Sequence, residues 1–384
     1  MIWLTWRQHR TQALTAAGVL ALLALFLVLT GRQMTSYLHS TGLGACLARH
    51  GDCGSLSQLF ENRYGTLLNY IAYLNLLPLL AGMFWGAPLL AREYEHGTDI
   101  LAWTQTVSRR RWLAVKLTAF CAAAIVAATC FSLLFGWWFG PFGQLAIHGG
   151  QSRIQLNVFD AQGIVPIGYT LFAFALGAAA GALTRRTVPA MAITAGGFLA
   201  ARLGVQMLRA HLFAPLRAVH ALVSPAGSIS LGTPLVGPQN WVLQSTITSR
   251  SGHPVTDQAV LQTCRAVASP RGLARCITAH GYHQLDIYQP LSRYWPLQAI
   301  EFAIFTTLAA VLLAATVWAV IPHRAPRRLA TVRGFGFSRS RTETLPALPK
   351  PEETPPPRPP GRAESPAPIA ALTGRDPRRR AHHR

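Results

Sequence analysis

Six stretches of this chain run for about 18 residues or more almost without charge, the length a helix needs to cross about 30 Å of hydrocarbon. They span residues 13–30, 67–91, 117–139, 164–183, 188–208 and 297–321. A backbone in lipid must satisfy its own hydrogen bonds, so the fold class expected is all-α, a polytopic membrane protein with six transmembrane helices. Composition agrees, with 51% apolar and only 13% charged residues, against about 25% charged in soluble domains. Arg7 and Arg10 precede the first run as in a signal peptide, but the run is too long and no A-x-A site follows, so it reads as a helix.

Charge sets the expected orientation. With the N-terminus in the cytosol, the short cytosolic segments hold nine basic residues, Arg7, Arg10, Arg92, Arg109, Arg110, Arg111, Lys116, Arg185 and Arg186, in roughly 40 positions, a density about three times that of the opposite loops. An even number of crossings then puts both termini in the cytosol. Four of the six cysteines fall in the expected outside loops, as Cys46 with Cys53 and Cys264 with Cys276. Each pair is close in sequence on the oxidising side, which suits local disulfides, with free thiols the alternative. Cys121 and Cys130 lie within the third run and read as packing residues.

Three regions lie outside the helical bundle. Residues 1–12 place Trp3 and Trp6 a turn apart before the arginines, an interfacial helix or a frayed terminus with belt tryptophans. Residues 209–296 form the largest outside loop, with apolar patches over 212–223 and the run Gly237-Pro-Gln-Asn-Trp241. Its histidines, His211, His220, His253, His280 and His283, lack ligand spacing with cysteines or carboxylates and read as solvated. From Pro322 to Arg384 the chain carries 13 of its 26 prolines, 14 basic and five acidic residues. Such a tail buries no core and is expected to be disordered, its charge favouring anionic membrane lipids. Aromatic stacking positions and a folded nucleic-acid motif are missing, so no nucleic-acid partner is expected.

Candidate chemistry is sparse. The sequence has no H-E-x-x-H, no G-x-S-x-G and, with Lys116 and Lys350 its only lysines, no G-x-x-x-x-G-K-[ST], so no catalytic residue, metal or cofactor is assigned to the chain. Two charged residues stand inside the runs, Arg202 and Glu301, at similar depth. A charge there is costly unless paired or snorkelling, so they read as an intramembrane ion pair or as two independent snorkels. Gly177 and Gly181 make a G-x-x-x-G that lets two helix backbones approach. Asn69, Tyr70, Tyr73 and Asn75 put polar groups in the second run, facing a path or a partner helix.

The most informative segment joins the second and third runs, Pro88-Leu-Leu-Ala-Arg-Glu-Tyr-Glu-His-Gly-Thr-Asp-Ile-Leu-Ala-Trp-Thr-Gln-Thr-Val-Ser-Arg-Arg-Arg-Trp-Leu-Ala-Val-Lys116. Gly97 can end one helix, Thr98 can start a short one bearing Ile100, Leu101 and Trp103, and Ser108 can cap the third span. An apolar-faced helix projected between two spans suits a groove on a soluble partner. On its residues alone, 93–99 also reads as a solvated turn whose acids offset nearby arginines.

This pattern, P-L-L-A-R-E-Y-E-x-G-T-D-I-L-x-x-T-Q-x-V-S-R-x-R-W-L-x-x-K, resembles the first cytosolic loop of type-2 ATP-binding-cassette transporter permeases, closely over about 30 residues. The resemblance implies a permease subunit in a bacterial plasma membrane, working as a homo- or heterodimer with a second permease copy and a separate ATPase subunit that binds ATP and Mg. It implies an ATPase-coupling loop with Glu93, Glu95, Gly97, Thr98, Asp99 and Leu101 at or beside the ATPase contact and Arg109 at the membrane border. It favours export over import. The alternative from another class is a non-transporting receptor, immunity or signalling subunit whose outside loop binds a ligand.

Overall fold

The computed structural model describes residues 2–49, 53–96, 108–146, 152–225, 227–265 and 269–321, with the backbone alone for residues 2–9, 12, 13 and 109. Among the described residues, six helical spans are long and apolar enough to cross a membrane: Leu14–Ser40, Gly54–Glu95, Arg110–Leu145, Val165–Thr184, Thr187–Arg209 and Leu291–Val320. We number them spans 1 to 6. Successive crossings leave two ends, one with the connections 41–53, 146–164 and 210–290 (the cap end) and one with residues 97–107 and the turn at 185–186 (the loop end). The expected tail from residue 322 lies outside the described residues.

Span 4 is the axis of the bundle, buried on almost every side. Small residues make this possible. A Cβ on Gly177 would lie 2.5 Å from the Gly82 carbonyl oxygen, and one on Gly181 2.5 Å from that of Ala87. In return, Gly82 and Gly86 of span 2 sit under the Ala173 and Phe174 carbonyls. The Gly177-x-x-x-Gly181 motif therefore meets a second motif of the same spacing, Gly82-x-x-x-Gly86, and the two backbones touch. Spans 1 and 3 pack together beside this centre, where Trp138 Nε1 donates to Thr30 Oγ1 at 2.9 Å and Phe60, Phe135, Phe139 and Phe142 fill the contact.

Span 2 is longer than expected and is not one regular helix. It begins at Gly54, tightens into a 3-10 turn over Gly65–Tyr70, breaks at Asn75 and Leu76, widens into a π-helical turn over Gly82–Gly86 and resumes as an α-helix over Ala87–Glu95. Two prolines explain much of this. Pro78 and Pro88 each lack an N–H, so the i to i−4 ladder is interrupted at both places. The carbonyl of Asn75, freed at the break, accepts from Arg202 Nη1 of span 5 at 2.6 Å, and the Asn75 side chain donates to the Asn157 carbonyl at 2.9 Å.

The segment between spans 5 and 6 folds as a small cap. It holds four strands, β1 (Leu216–Ala221), β2 (Trp241–Thr248), β3 (Pro254–Val255) and β4 (His283–Gln289), in the antiparallel order β1-β4-β2-β3. Two helices, Asp257–Thr263 and Pro270–Ala279, contribute Val260 and Ile277 to a small core with Leu222 and Ile247. A disulfide joins Cys264 to Cys276 in this cap, and another joins Cys46 to Cys53 between spans 1 and 2. Among the described residues, Cys264, Cys276 and His280 are the grouping with metal-ligand spacing, but both sulfurs belong to the disulfide.

Asp286 organises the sheet. Its carboxylate accepts from Ser245 Oγ at 2.6 Å and from the Leu235 and Val236 amides at 2.8 and 3.1 Å. Burial works to raise its pKa, but these bonds and that from Gln284 outweigh burial and hold it below the ordinary carboxylate value. A depressed folded-state value adds stability above the unfolded value of about 3.9, and the gain is lost as pH falls through the folded value. The difference in thermal melting between the native chain and Asp286→Asn is therefore expected to be full at neutral pH and to close as pH drops below about 4. For the bundle, Gly177→Val should cost at least about 1–3 kcal/mol in melting experiments. Gly204→Val, where an added Cβ meets nothing, should leave the melting temperature essentially unchanged.

Candidate functional site

Two clusters of polar side chains mark the bundle, one at each end. At the loop end, the helix that carries span 3 starts at Arg109 and is capped by Ser108, whose Oγ accepts from the Arg111 amide at 3.4 Å. Gly97, Thr98, Asp99 and Leu101 lie outside the described residues, as does the side chain of Arg109. Glu93 and Glu95, expected at or beside a partner contact, both turn to their own chain. Glu93 is ion-paired with Lys116, which is almost fully buried and stands 4.5 Å from the Trp112 ring centroid. Glu95 accepts from the Thr187 amide at 2.8 Å and from Thr187 Oγ1 at 2.7 Å, capping the start of span 5 from another helix. Arg185, in a left-handed conformation at the end of span 4, lays its guanidinium 5.3 Å from the Tyr94 ring.

The stalk of the 97–107 loop is thus tied on three sides. The pair Glu93–Lys116 joins the two spans that flank the loop, Glu95–Thr187 joins span 2 to span 5, and Tyr94–Arg185 adds span 4. These contacts connect the stalk of span 2 to three other spans.

At the cap end the expected direct pair between Arg202 and Glu301 is not formed. Arg202 Nη2 donates to Asp160 Oδ2 at 2.9 Å, whereas Glu301 receives a two-pronged contact from Arg209, with Nε and Nη2 both at 2.9 Å. Arg209 also reaches Asp160, so the four charges form one chain, Arg202–Asp160–Arg209–Glu301, with no net charge. Tyr169 OH lies within hydrogen-bond reach of both carboxylates, close to Glu301 and 3.2 Å from Asp160, and its single proton serves one of them at a time. The Arg209 guanidinium stands 4.1 Å from the Phe159 ring centroid, and Arg209 and Glu301 are both 0% exposed. The reason for the different pairing is geometric: Arg202 sits toward span 2 and the Asn75 carbonyl, leaving Glu301 to an arginine two turns further along span 5.

Asp160 and Arg209 were not singled out by the sequence, because both lie at the margins of apolar runs. A signal existed in Asp160, the sole acidic residue between Asp99 and Asp257. Gln298 completes the cap end by accepting from the Ile164 and Val165 amides at 3.0 and 3.1 Å and donating to the Phe159 carbonyl at 2.9 Å. None of these groups surrounds an open cavity with a nucleophile and a base, and what the arrangement supplies is attachment. At the loop end, Glu93→Leu would leave the Lys116 ammonium buried without its counter-charge, at an expected cost of roughly 3 kcal/mol. Adding Lys116→Leu should recover most of the lost melting temperature.

A family model described as ABC-2 membrane transporter related matches residues 17–209, which covers spans 1 to 5, the stalk, Asp160, Arg202 and Arg209. No curated protein and no solved structure matches the chain. The match takes in half of the sequence, and the helical, multi-pass architecture agrees with it. The chain belongs to the ABC-2 membrane transporter related family.

Proposed function

We propose that this chain is the permease subunit of an ATP-driven exporter, with both termini in the cytosol of a bacterial cell and a separate ATPase seated on the 97–107 loop. The observation that carries the reading is the three-way tie of the loop's stalk by Glu93, Tyr94 and Glu95. ATP and Mg are handled by the partner. Two permease copies, identical or paired with a related chain, enclose the path, and hydrolysis changes how they pack. The arginines at the loop end, with Arg92, Arg110, Arg111, Arg185 and Arg186 among them, support a cytosolic placement of that end. Export rests on the family likeness alone.

A second reading, a ligand-binding receptor or immunity subunit without transport, is favoured by the cap's own sheet, core and disulfide. One experiment separates them. The chain is co-purified in lipid nanodiscs with candidate ATPases, and ATP turnover is compared between the native loop and Leu101→Glu. The transport reading expects a stable complex whose turnover depends on the permease and falls in Leu101→Glu, because a charge on the short helix's apolar face opposes docking. No complex and no dependence would contradict transport and favour the receptor.

A further inference from the structure

A groove of about 510 Å³ opens among spans 1 to 5 and is lined almost wholly by apolar side chains, among them Val19, Leu80, Phe84, Trp85 and Phe131. Its character changes at the loop end, where Arg92 lines it. Arg92 is exposed, and the two carboxylates nearest in sequence are engaged elsewhere, Glu93 with Lys116 and Glu95 with Thr187. Among the described residues no acid pairs with it. The feature is an apolar slot between candidate membrane spans with one cation, Arg92, at its loop end.

We propose that this groove is a binding site for one anionic phospholipid, its acyl chain along Val19, Phe84 and Phe131 and its phosphate on Arg92. The chemistry of the two parts selects this occupant. A hydrocarbon chain alone makes no use of Arg92, and a zwitterionic headgroup brings its own cation to the same place. A second copy of this chain, with 35 basic against 14 acidic residues, brings an excess of cations rather than a counter-charge to Arg92. An anionic headgroup neutralises Arg92 while its chain fills the apolar part, and the further arginines 110, 111, 185 and 186 at the same end add attraction. Phe84 and Trp85 belong to the π-helical turn of span 2, so a lipid seated here braces span 2 where its ladder is widened. The site stands apart from the ATPase reading and requires only that the chain lie in a bilayer.

The test is native mass spectrometry of the full chain after partial delipidation from an equimolar mixture of phosphatidylglycerol and phosphatidylcholine. The native protein is expected to retain one phosphatidylglycerol with a preference of about fivefold. Arg92→Gln should keep a lipid but bring the preference close to one. Ala127→Trp, which fills the groove from span 3, and Ala16→Leu, which fills it from span 1, should retain markedly less of either lipid. Two independent filling variants are used so that a folding defect in one, read from its melting temperature, leaves the other to decide. Equal retention of both lipids by the native chain, an unchanged preference in Arg92→Gln, or undiminished retention in a folded filling variant would each overturn the proposal.

Discussion

An ionised side chain buried inside a membrane-spanning bundle, out of reach of water, is costly unless the protein supplies its neutraliser. Arg209 is the clearest case. It is wholly buried, and it is held by Glu301 of span 6 on one side and Asp160 of the segment before span 4 on the other. Asp160 in turn takes Arg202, and Arg202 takes the carbonyl that the broken helix of span 2 leaves free at Asn75. Remove one member and another is left charged in a medium of low dielectric. The cap-end halves of spans 2, 4, 5 and 6 are therefore fastened by a single requirement of neutrality, and the glycine contact of spans 2 and 4 fastens two of the same helices nearer the loop end.

With both fastenings in place, spans 2, 4, 5 and 6 are expected to move as a block. The irregularity of span 2 lies between its fixed points: the Asn75 break is anchored by Arg202 and Asn157, and the π-helical turn over Gly82–Gly86 is pressed against span 4. Below that turn comes the stalk, tied to spans 3, 4 and 5. A push on the 97–107 loop would enter the membrane through several helices at once. The family match over residues 17–209 takes in all of these contacts except those to span 6.

Much of this was legible in the chain. Span count followed from apolar length, because hydrocarbon thickness leaves a helix few alternatives, and Gly177 and Gly181 announced a close helix contact. Their partner was hidden, since Gly82 and Gly86 sit between two prolines where a regular periodicity cannot be followed. The cap sheet was hidden for a different reason. In β4 apolar Leu285 and Ile287 alternate with Gln284 and Asp286, but the more deeply buried positions are the polar ones, Gln284, Asp286 and Gln289, held by hydrogen bonds, so the alternation points the wrong way for an apolar core. The partners of Arg202 and Glu301 were missed because depth along a span is a poor guide to which charges meet. Asp160 and Arg209 reach the same depth from the edges of their segments through side-chain length and a folded connection, which no count of residues along a span reveals.

The most direct measurement of this account is a double-mutant cycle on Arg209 and Glu301, read as thermal melting of the chain in nanodiscs. A linked network predicts that Arg209→Leu and Glu301→Leu each lose roughly 3–5 kcal/mol, because each leaves an uncompensated buried charge. The double variant should lose less than either, since Asp160 and Arg202 then remain as a neutral pair. Losses that simply add, or single variants no less stable than the native chain, would mean that these charges reach water independently and that the block does not exist.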